Sequence, residues 1–506
     1  MPAMTVTQNS TYDLCIIGGG INGAGIARDA AMRGLSVALL EAGDLAGATS
    51  SSSTKLIHGG LRYLEYYEFG LVRHALQERE RLLNMAPHII WPLQFILPHD
   101  QHQRSAWMIR LGLFLYDHLA KRKKLPGSKS VSFASGAYGA PLTDTYKKGF
   151  SYADCWVEDA RLVVLNAMSA RDHGADIMTR TACRNLEPTA EKDWLVHIEN
   201  TRNKNTSTIR AKKIVNAAGP WVRNILDHSH LAHETTPHIR LVQGSHIIVP
   251  RLYDGDHAYI LQQKDSRIVF AIPYEQDFTL IGTTDKEVHD DAANPSITDS
   301  EVTYLLGAIK ASFKKTVTKD DIVWTYAGVR PLIDDGAADA KAVTRDYKLI
   351  KDIHHGAPIL SVFGGKITTY RVLANDALDA LYDGEEIPSC RTADEPLPGG
   401  DIPNADITAY RKAQAEKYPW MPPHALQRLI TAYGCNIDHI LDGAQSLADL
   451  GRHFGDHIYE AELQYLIRHE WVETIDDLLW RRSKLGLHIS EDTIRNIKNY
   501  LSVAVS

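Results

Sequence analysis

The sequence predicts an α/β chain built in more than one unit, with strands and helices alternating at the N-terminus, strands dominating the middle and helices filling the end. Three observations predict it. An apolar run at 13–17 enters a glycine-dense turn, a helical pattern at 26–33 and a second apolar run at 36–40. Strand patterns recur at 176–180, 194–199, 213–216, 245–249, 267–272 and 278–282, bounded by turn residues. From 407 to 506 strand patterns all but stop and helical spacing takes over, as at 425–433 and across 460–479.

Composition sets the frame. A chain of 506 residues exceeds what one hydrophobic core usually organises. Hydrophobic residues at 44% and charged residues at 23%, with nine Trp and 22 Tyr, exclude a disordered class. A net charge of -7 sets up no basic field, which excludes nucleic acid as a general partner. Any anion must therefore be held by local cations. Cys15, Cys155, Cys183, Cys390 and Cys435 are far apart and form no Cys-x-x-Cys pair, so neither a disulfide framework nor a metal site is expected. They read as buried free thiols in a reducing compartment. The polar start at 1–12 lacks the parts of a secretory signal, and no window reaches the roughly 18 apolar residues of a spanning helix. The expected location is the cytoplasm, with contact at a membrane surface left open.

The glycine turn carries the first chemistry. A pyrophosphate bears two negative charges close together, so its site needs backbone N–H groups aimed at it and no side chains in the way. In Gly18-Gly19-Gly20-Ile21-Asn22-Gly23-Ala24-Gly25, the residues Gly18, Gly20 and Gly23 match G-x-G-x-x-G. The first permits the tight turn, the second admits phosphate, and the third lets helix pack against strand. The helix that follows aims its positive end at the phosphates. Glu41 ends the second strand, where a carboxylate accepts both ribose hydroxyls and disfavours a 2′-phosphate. Glycines alone would fit a turn that binds nothing; the flanking strand, helix, strand and acid make this a dinucleotide site, of the kind NAD and FAD share. Two later returns, Val215-Asn216-Ala217-Ala218-Gly219-Pro220 and Leu360-Ser361-Val362-Phe363-Gly364-Gly365-Lys366, read as strands ending at tight backbone approaches.

What separates the two cofactors lies further on. Glu41-Ala42-Gly43-Asp44-Leu45-Ala46 runs into Gly47-Ala48-Thr49-Ser50-Ser51-Ser52-Ser53-Thr54-Lys55 and then Leu56-Ile57-His58-Gly59-Gly60-Leu61-Arg62-Tyr63-Leu64-Glu65. Small hydroxyl residues able to satisfy phosphate and flavin oxygens are followed by a turn that delivers His58, Arg62 and Tyr63. A Ser/Thr-rich surface linker would not explain so apolar and basic a continuation. Further strings stand at 215–222, at Leu280-Ile281-Gly282-Thr283-Thr284-Asp285, at Tyr326-Ala327-Gly328-Val329-Arg330-Pro331 and at Gly364-Gly365-Lys366-Ile367-Thr368-Thr369-Tyr370-Arg371. With Tyr459-Glu460-Ala461-Glu462-Leu463 and Trp480-Arg481-Arg482-Ser483-Lys484-Leu485-Gly486, the chain closely resembles, over nearly its whole length, the FAD-dependent glycerol-3-phosphate dehydrogenases. They are members of the D-amino-acid-oxidase-like flavoprotein superfamily.

The resemblance implies an architecture and a reaction. The architecture is a Rossmann-like FAD-binding domain (12–90, 155–225 and 335–388), a β-sheet-rich substrate (cap) domain (91–154 and 226–334) and an all-α C-terminal domain (389–506). The reaction is oxidation of sn-glycerol 3-phosphate to dihydroxyacetone phosphate, the electrons passing from reduced FAD to a membrane quinone. A homodimer is expected, with the helical end available for its interface.

Oxidising a secondary alcohol with flavin requires hydride transfer from carbon and removal of the hydroxyl proton. A phosphate dianion also needs two or more cations, and the developing charge needs donors. Matched residue by residue to the family pattern, Arg62, Tyr63, Arg345 and Lys366 surround substrate, with Arg330 near its reacting hydroxyl. In the strand ending at Arg330, burial without an anion would be costly. His246 is favoured as base on chemistry, because an imidazole titrates near neutrality whereas an arginine stays protonated. Arg330 is then the electrostatic stabiliser. A buried structural histidine is the competing reading of His246, and His58 is a third candidate base. The cofactor-binding residues are Gly18, Gly20, Asn22, Gly23, Glu41, Thr49, Ser50, Ser51, Lys55, His58, Gly219, Gly365, Ile367 and Thr368. No Cys or His stands beside the 364–369 loop, where some relatives attach flavin covalently, so noncovalent FAD is expected.

One segment bears on the acceptor. Residues 104–129 carry seven Lys or Arg against one Asp around an apolar stretch that includes Trp107, Ile109, Leu111, Leu113, Phe114 and Leu119. Lys121-Arg122-Lys123-Lys124 could meet anionic head groups, which suits a peripheral protein on the cytoplasmic face of the inner membrane. An ordinary amphipathic helix packed on the core is the other reading. Competing activities are a glycerol-3-phosphate oxidase producing hydrogen peroxide from oxygen, an amine or amino-acid oxidase, and a flavin-binding scaffold without turnover.

Overall fold

Leu14, Cys15, Ile16 and Ile17 are all buried, although successive residues of a strand face opposite ways. That is the pattern of a strand covered on both faces. In the computed structural model, which describes residues 11–100, 102–134, 136–288, 292–334 and 347–505, the strand Thr11–Ile17 is central to the first sheet. It pairs in parallel with Val37–Leu40 on one side and Thr206–Asn216 on the other. The sheet runs on to Asp176–Met178 at one edge and through Ala357–Phe363 to Lys348–His354 at the other. Trp194–Asn200 and Thr181–Pro188 fold back antiparallel from Thr206–Asn216.

The first helix is Ile21–Met32, starting immediately after Gly20 and five residues before the apolar spacing becomes legible at 26. Almost every residue in it is buried, because it lies between Asp159–Asp172 and Tyr370–Leu381 as well as on the sheet. Gly25 makes that possible: a Cβ there would stand 2.6 Å from Cδ2 of Tyr370. Arg28 is buried within the helix and spends its donors on Ser169 Oγ and the carbonyls of Thr392 and Glu395.

The second sheet is built around Ile239–Pro250, longer at both ends than the predicted 245–249. It pairs with Phe278–Gly282 and Lys286–Val288 along one edge and with Trp324–Ile333 along the other. Beyond Phe278–Gly282 the order continues through Ile268–Tyr274, Ala258–Gln262, Ile90–His99 and Lys148–Val157 to the short strand Leu56–Ile57. The loop 49–63 thus leaves the first sheet and is stitched into the edge of the second.

The helical end holds Ile407–Lys417, Pro423–Tyr433, Glu460–His469 and Glu491–Ala504, with one short hairpin, His453–Gly455 and Ile458–Tyr459. The helical pattern across 460–479 is not one helix. It stops at His469, where Glu470 is drawn inward onto Arg161 and Trp471 takes φ +55°. A π-helical turn, Asp477–Arg482, follows. Apolar residues of this end, such as Leu466 and Leu478, share one continuous core with Leu14 and Val37 of the first sheet.

The basic segment contains the helix Ala106–His118. Leu113 is buried and Ile109 and Leu119 pack on the core, whereas Trp107, Met108, Leu111, Phe114 and Leu115 face outward, Trp107 being 67% exposed. Tyr66, Tyr67 and Phe69 are exposed on the neighbouring turn. Among the described residues no helix is long and apolar enough to cross a membrane.

Candidate active site

The glycine turn closes as its spacing requires. Gly18 has φ +109°, and a Cβ there would stand 2.5 Å from the Ala217 carbonyl. A Cβ on Gly23 would stand 1.9 Å from the Gly18 carbonyl, so both contacts exist only for glycine. Gly20 caps the helix, Ser50 Oγ accepts from the Ile21 N–H at 3.0 Å, and Glu41 accepts from Gly19 and Gly43 N–H at 2.7 Å each. Burial raises the Glu41 carboxyl pKa, while those two N–H groups pull it back. Asn22 bridges to the other glycine return, donating from Nδ2 to the Gly364 carbonyl at 3.0 Å, and its Oδ1 is buried without a hydrogen-bond partner among the described residues. Gly365, at φ +110°, has Asn22 beside it, and Gly219, at φ +56°, opens onto space with nothing within 4 Å of where a Cβ would be. Amide-lined turns, an orphaned amide oxygen and a glycine facing free space fit a bound dinucleotide.

The hydroxyl-rich loop packs against the strand Trp324–Ile333. Thr49 donates to the Val329 carbonyl at 2.6 Å, Ser51 donates to the Ala48 carbonyl, and a Cβ on Gly328 would stand 2.6 Å from Cβ of Ser52. Lys55 does not present its ammonium to the front of the loop. It is 1% exposed and bound to Asp159 at 2.6 Å and the Ser51 carbonyl at 3.1 Å, with Ser53 Oγ on the same carboxylate. The Lys55 side chain therefore braces the loop from behind, because an unpaired ammonium buried there would be costly. Downstream, the His58 N–H donates to Thr368 Oγ1 at 3.3 Å, and the Gly59 N–H donates to Tyr116 Oη at 2.8 Å. Ile367 begins the short turn Ile367–Thr369, half-buried against the core.

His246 lies between Gly282 and Tyr326 on the neighbouring strands. Its ring stacks on Tyr326, centroids 4.6 Å apart, and its Nε2 is 3.0 Å from Thr54 Oγ1. Nδ1 is buried and has no hydrogen-bond partner among the described residues. Burial, with the charges of Lys55 and Arg330, pushes the imidazole pKa down to about 3, so the ring is neutral at ordinary pH. Gly282 makes room for it, since a Cβ there would stand 2.0 Å from the His246 ring.

The sequence reading expected Arg330 to be buried, where its charge would call for an anion; the structure leaves it partly exposed and supplies a carboxylate from the chain itself. Its side chain is 33% exposed and paired with Asp285 at 2.7 Å, and Nη2 also donates to the Thr284 carbonyl at 3.0 Å. Lys366 Nζ sits 4.2 Å over the Tyr63 ring, which packs against Gly60 at φ +74°. Arg62 is half-buried on the turn Leu61–Tyr66. Arg345 lies outside the described residues. Sequence reasoning missed Thr54, Tyr326, Asp285 and Asp159, although the first three stand inside strings it quoted.

The family model described as FAD dependent oxidoreductase matches residues 13–371, and that of the C-terminal domain of alpha-glycerophosphate oxidase matches 390–502. The chain is 49% identical over 487 residues to the D-erythritol 1-phosphate dehydrogenase of Brucella abortus, covering 96% of this chain and 97% of the relative. It is 50% identical over 497 residues to the aerobic glycerol-3-phosphate dehydrogenase of Escherichia coli K12, covering 97% of each. It is also similar to the X-ray structure of the glycerol-3-phosphate dehydrogenase from Bacillus halodurans complexed with FAD, at 27% identity and a TM-score of 0.79, over 98% of this chain and 91% of that one.

Proposed function

The chain belongs to the FAD-dependent oxidoreductases, in the glycerol-3-phosphate dehydrogenase family, and from that premise we propose that it oxidises sn-glycerol 3-phosphate to dihydroxyacetone phosphate. FAD, when bound, supplies the hydride acceptor. The turn Gly18 to Gly23 and the start of Ile21–Met32 hold its pyrophosphate, Glu41 its ribose, and Asn22, Thr49, Ser50, Ser51, Gly219, Gly365 and Thr368 the remaining polar edges. Lys366, Arg62 and Tyr63 take the substrate phosphate, since a dianion needs more than one cation, and Arg345 is assigned to the same task. Arg330 stabilises the oxygen as its proton leaves.

The observation that carries this reading is the neutral, buried imidazole of His246 beside Arg330, with Nδ1 unused. His246 takes the hydroxyl proton at Nδ1 while Thr54 fixes the ring through Nε2. Burial keeps the imidazole proton-poor, and the charges of Lys55 and Arg330 add to it; a dianion arriving near Arg330 and Lys366 offsets that added part, so the basicity of the ring rises as substrate seats. Anaerobic mixing of the FAD-loaded protein with glycerol 3-phosphate should bleach the flavin band. No bleaching would refute the reaction, and a His246→Gln variant bleaching at the wild-type rate would refute the base.

A second reading has one observation in its favour: the 49% identical relative named for D-erythritol 1-phosphate. On that reading the pocket takes a four-carbon polyol phosphate, and the same mixing experiment with erythritol phosphate ranks the two by rate. For the acceptor we propose a membrane quinone. The outward apolar face of Ala106–His118 supports this, as does an adjoining concavity of about 540 Å³ lined by Arg73, Gln77, Asp117, His118, Lys121 and Arg122. Oxygen and a short-chain quinone added in turn to the reduced protein separate a dehydrogenase from an oxidase.

A further inference from the structure

Asp44 follows closely on the acid assigned to the ribose, yet its side chain is 3% exposed and faces the helical end of the molecule. Arg482 grips its carboxylate at two points, 2.6 and 2.7 Å. Arg481 binds the same carboxylate, and Arg180 lies 3.6 Å away. Arg180 and Arg481 also share Asp477, at 2.6 Å each. Three guanidiniums and two carboxylates therefore form one network between loop 41–47 and the turn Asp477–Arg482. Burial alone would raise the Asp477 carboxyl pKa; Arg180, the N–H of Glu473, Thr474 and Arg481 outweigh it and hold the group far below the usual range.

Both sides of this network are anchored. On the helical side, Asp477 accepts from the Glu473 and Thr474 N–H at 2.9 Å each. Arg482 also donates from Nε and Nη2 to the Glu470 carbonyl at 2.9 and 2.7 Å. The Glu470 carboxylate holds Arg161, on the helix that packs against Ile21–Met32. On the other side, the Ala46 N–H donates to the Gly19 carbonyl at 3.0 Å, the Arg180 N–H to the Gly43 carbonyl at 2.9 Å, and the Gly43 N–H to Glu41. The loop that Asp44 anchors is hydrogen-bonded directly to the phosphate turn and to the ribose acid.

We propose that the C-terminal turn Asp477–Arg482 is a working part of the FAD site, in which Arg482 and Arg481 are positioning residues that set loop 41–47, and through it Gly19 and Glu41, in the shape the cofactor meets. This rests on the assignment of the Gly18 to Glu41 unit to FAD. A loop released from Asp44 must be ordered when the cofactor binds, and ordering even a residue or two is worth about tenfold or more in affinity. Removing one partner of a buried ion pair also leaves the other uncompensated, so the loop does not keep its place by default.

The test uses the full chain purified with FAD, stripped and titrated with FAD while flavin fluorescence and visible circular dichroism are followed. Arg482→Met and the nearly isosteric Asp44→Asn should each raise the FAD Kd tenfold or more, and the double variant should raise it little beyond either one. At saturating FAD, kcat and the substrate KM should return to wild-type values. Arg428→Met breaks another ion pair of the helical end, that with Glu462; it should lower the thermal midpoint yet leave the FAD Kd within twofold. If Arg482→Met fails to fold, Asp44→Asn carries the comparison. An unchanged Kd in Asp44→Asn, or an equal rise in Arg428→Met, would overturn the proposal. A wild-type chain that bound no FAD would instead overturn the cofactor assignment itself.

Discussion

At the scale of single residues, His246 makes two measurable demands. Its native pKa, near 3, lies below the roughly 6.5 of an unfolded histidine. The unfolded chain therefore binds the extra proton between those values, and the native state loses stability as pH falls from about 6.5 towards 3. A His246→Gln variant should lose less over that window, read as a smaller drop in thermal midpoint between pH 7 and pH 5 than the wild type shows. The second demand concerns Gly282, whose missing Cβ leaves room for the imidazole. Gly282→Ala should displace the ring and slow flavin reduction by about 10²-fold, the order expected when a reacting group is misplaced by an ångström, while bound FAD keeps its absorbance. Unchanged reduction in stopped flow would take His246 out of the chemistry.

At the scale of elements, Tyr116 ties the outward-facing helix Ala106–His118 to the loop beneath it. Its hydroxyl accepts from the Gly59 N–H and donates to Asp154, itself bound by Arg79. Tyr116→Phe strands buried polar groups on both sides, which costs about 1–3 kcal/mol; chemical denaturation should show that loss together with a raised substrate KM. What could be read in advance follows the same scale. The strand, turn, helix and strand at the N-terminus were legible because glycine spacing and terminal acid are local signals. Ile21–Met32 was legible only from residue 26, because its first turn is set by Gly20 and by packing. The break after His469 was hidden for a related reason: Glu470 leaves the helical path to reach Arg161, a partner distant in sequence. Lys55 and Arg330 were recognised as cations near the site, but their counter-charges come from other segments: Asp159 carries no motif, and Asp285 ends a quoted string with nothing local to announce its pairing with Arg330.

At the scale of the whole molecule, charge and apolar surface coincide on one side, around Ala106–His118 and Lys121 to Lys124. Two of these cations are partly committed already, Arg122 to Asp117 and Lys124 to the carbonyls of Asn404 and Ala405. Each basic residue near an anionic surface is worth about 1 kcal/mol. Reversing the charge of Lys121 and Lys123 should therefore weaken sedimentation with anionic vesicles by at least about 10²-fold, and Trp107→Ser should weaken it on neutral ones; equal binding by all three proteins would remove this face from the membrane reading. The strand order of the first sheet has a separate consequence, for the time at which the protein comes into being. Thr11–Ile17 precedes every other strand of the sheet, and while Val37–Leu40 on one side follows it closely, the other side is Thr206–Asn216 and, one strand further, Ala357–Phe363. Loop closure over such spans is slow, and a nascent chain holds Thr11–Ile17 unpaired on that edge until residue 216 has been made, and Thr206–Asn216 unpaired on its far edge until residue 363. Gly365 and Thr368, assigned to FAD, follow directly on Ala357–Phe363, so cofactor capture waits for that strand, and in flavin-starved cells the species that accumulates should be a full-length apoprotein awaiting its cofactor.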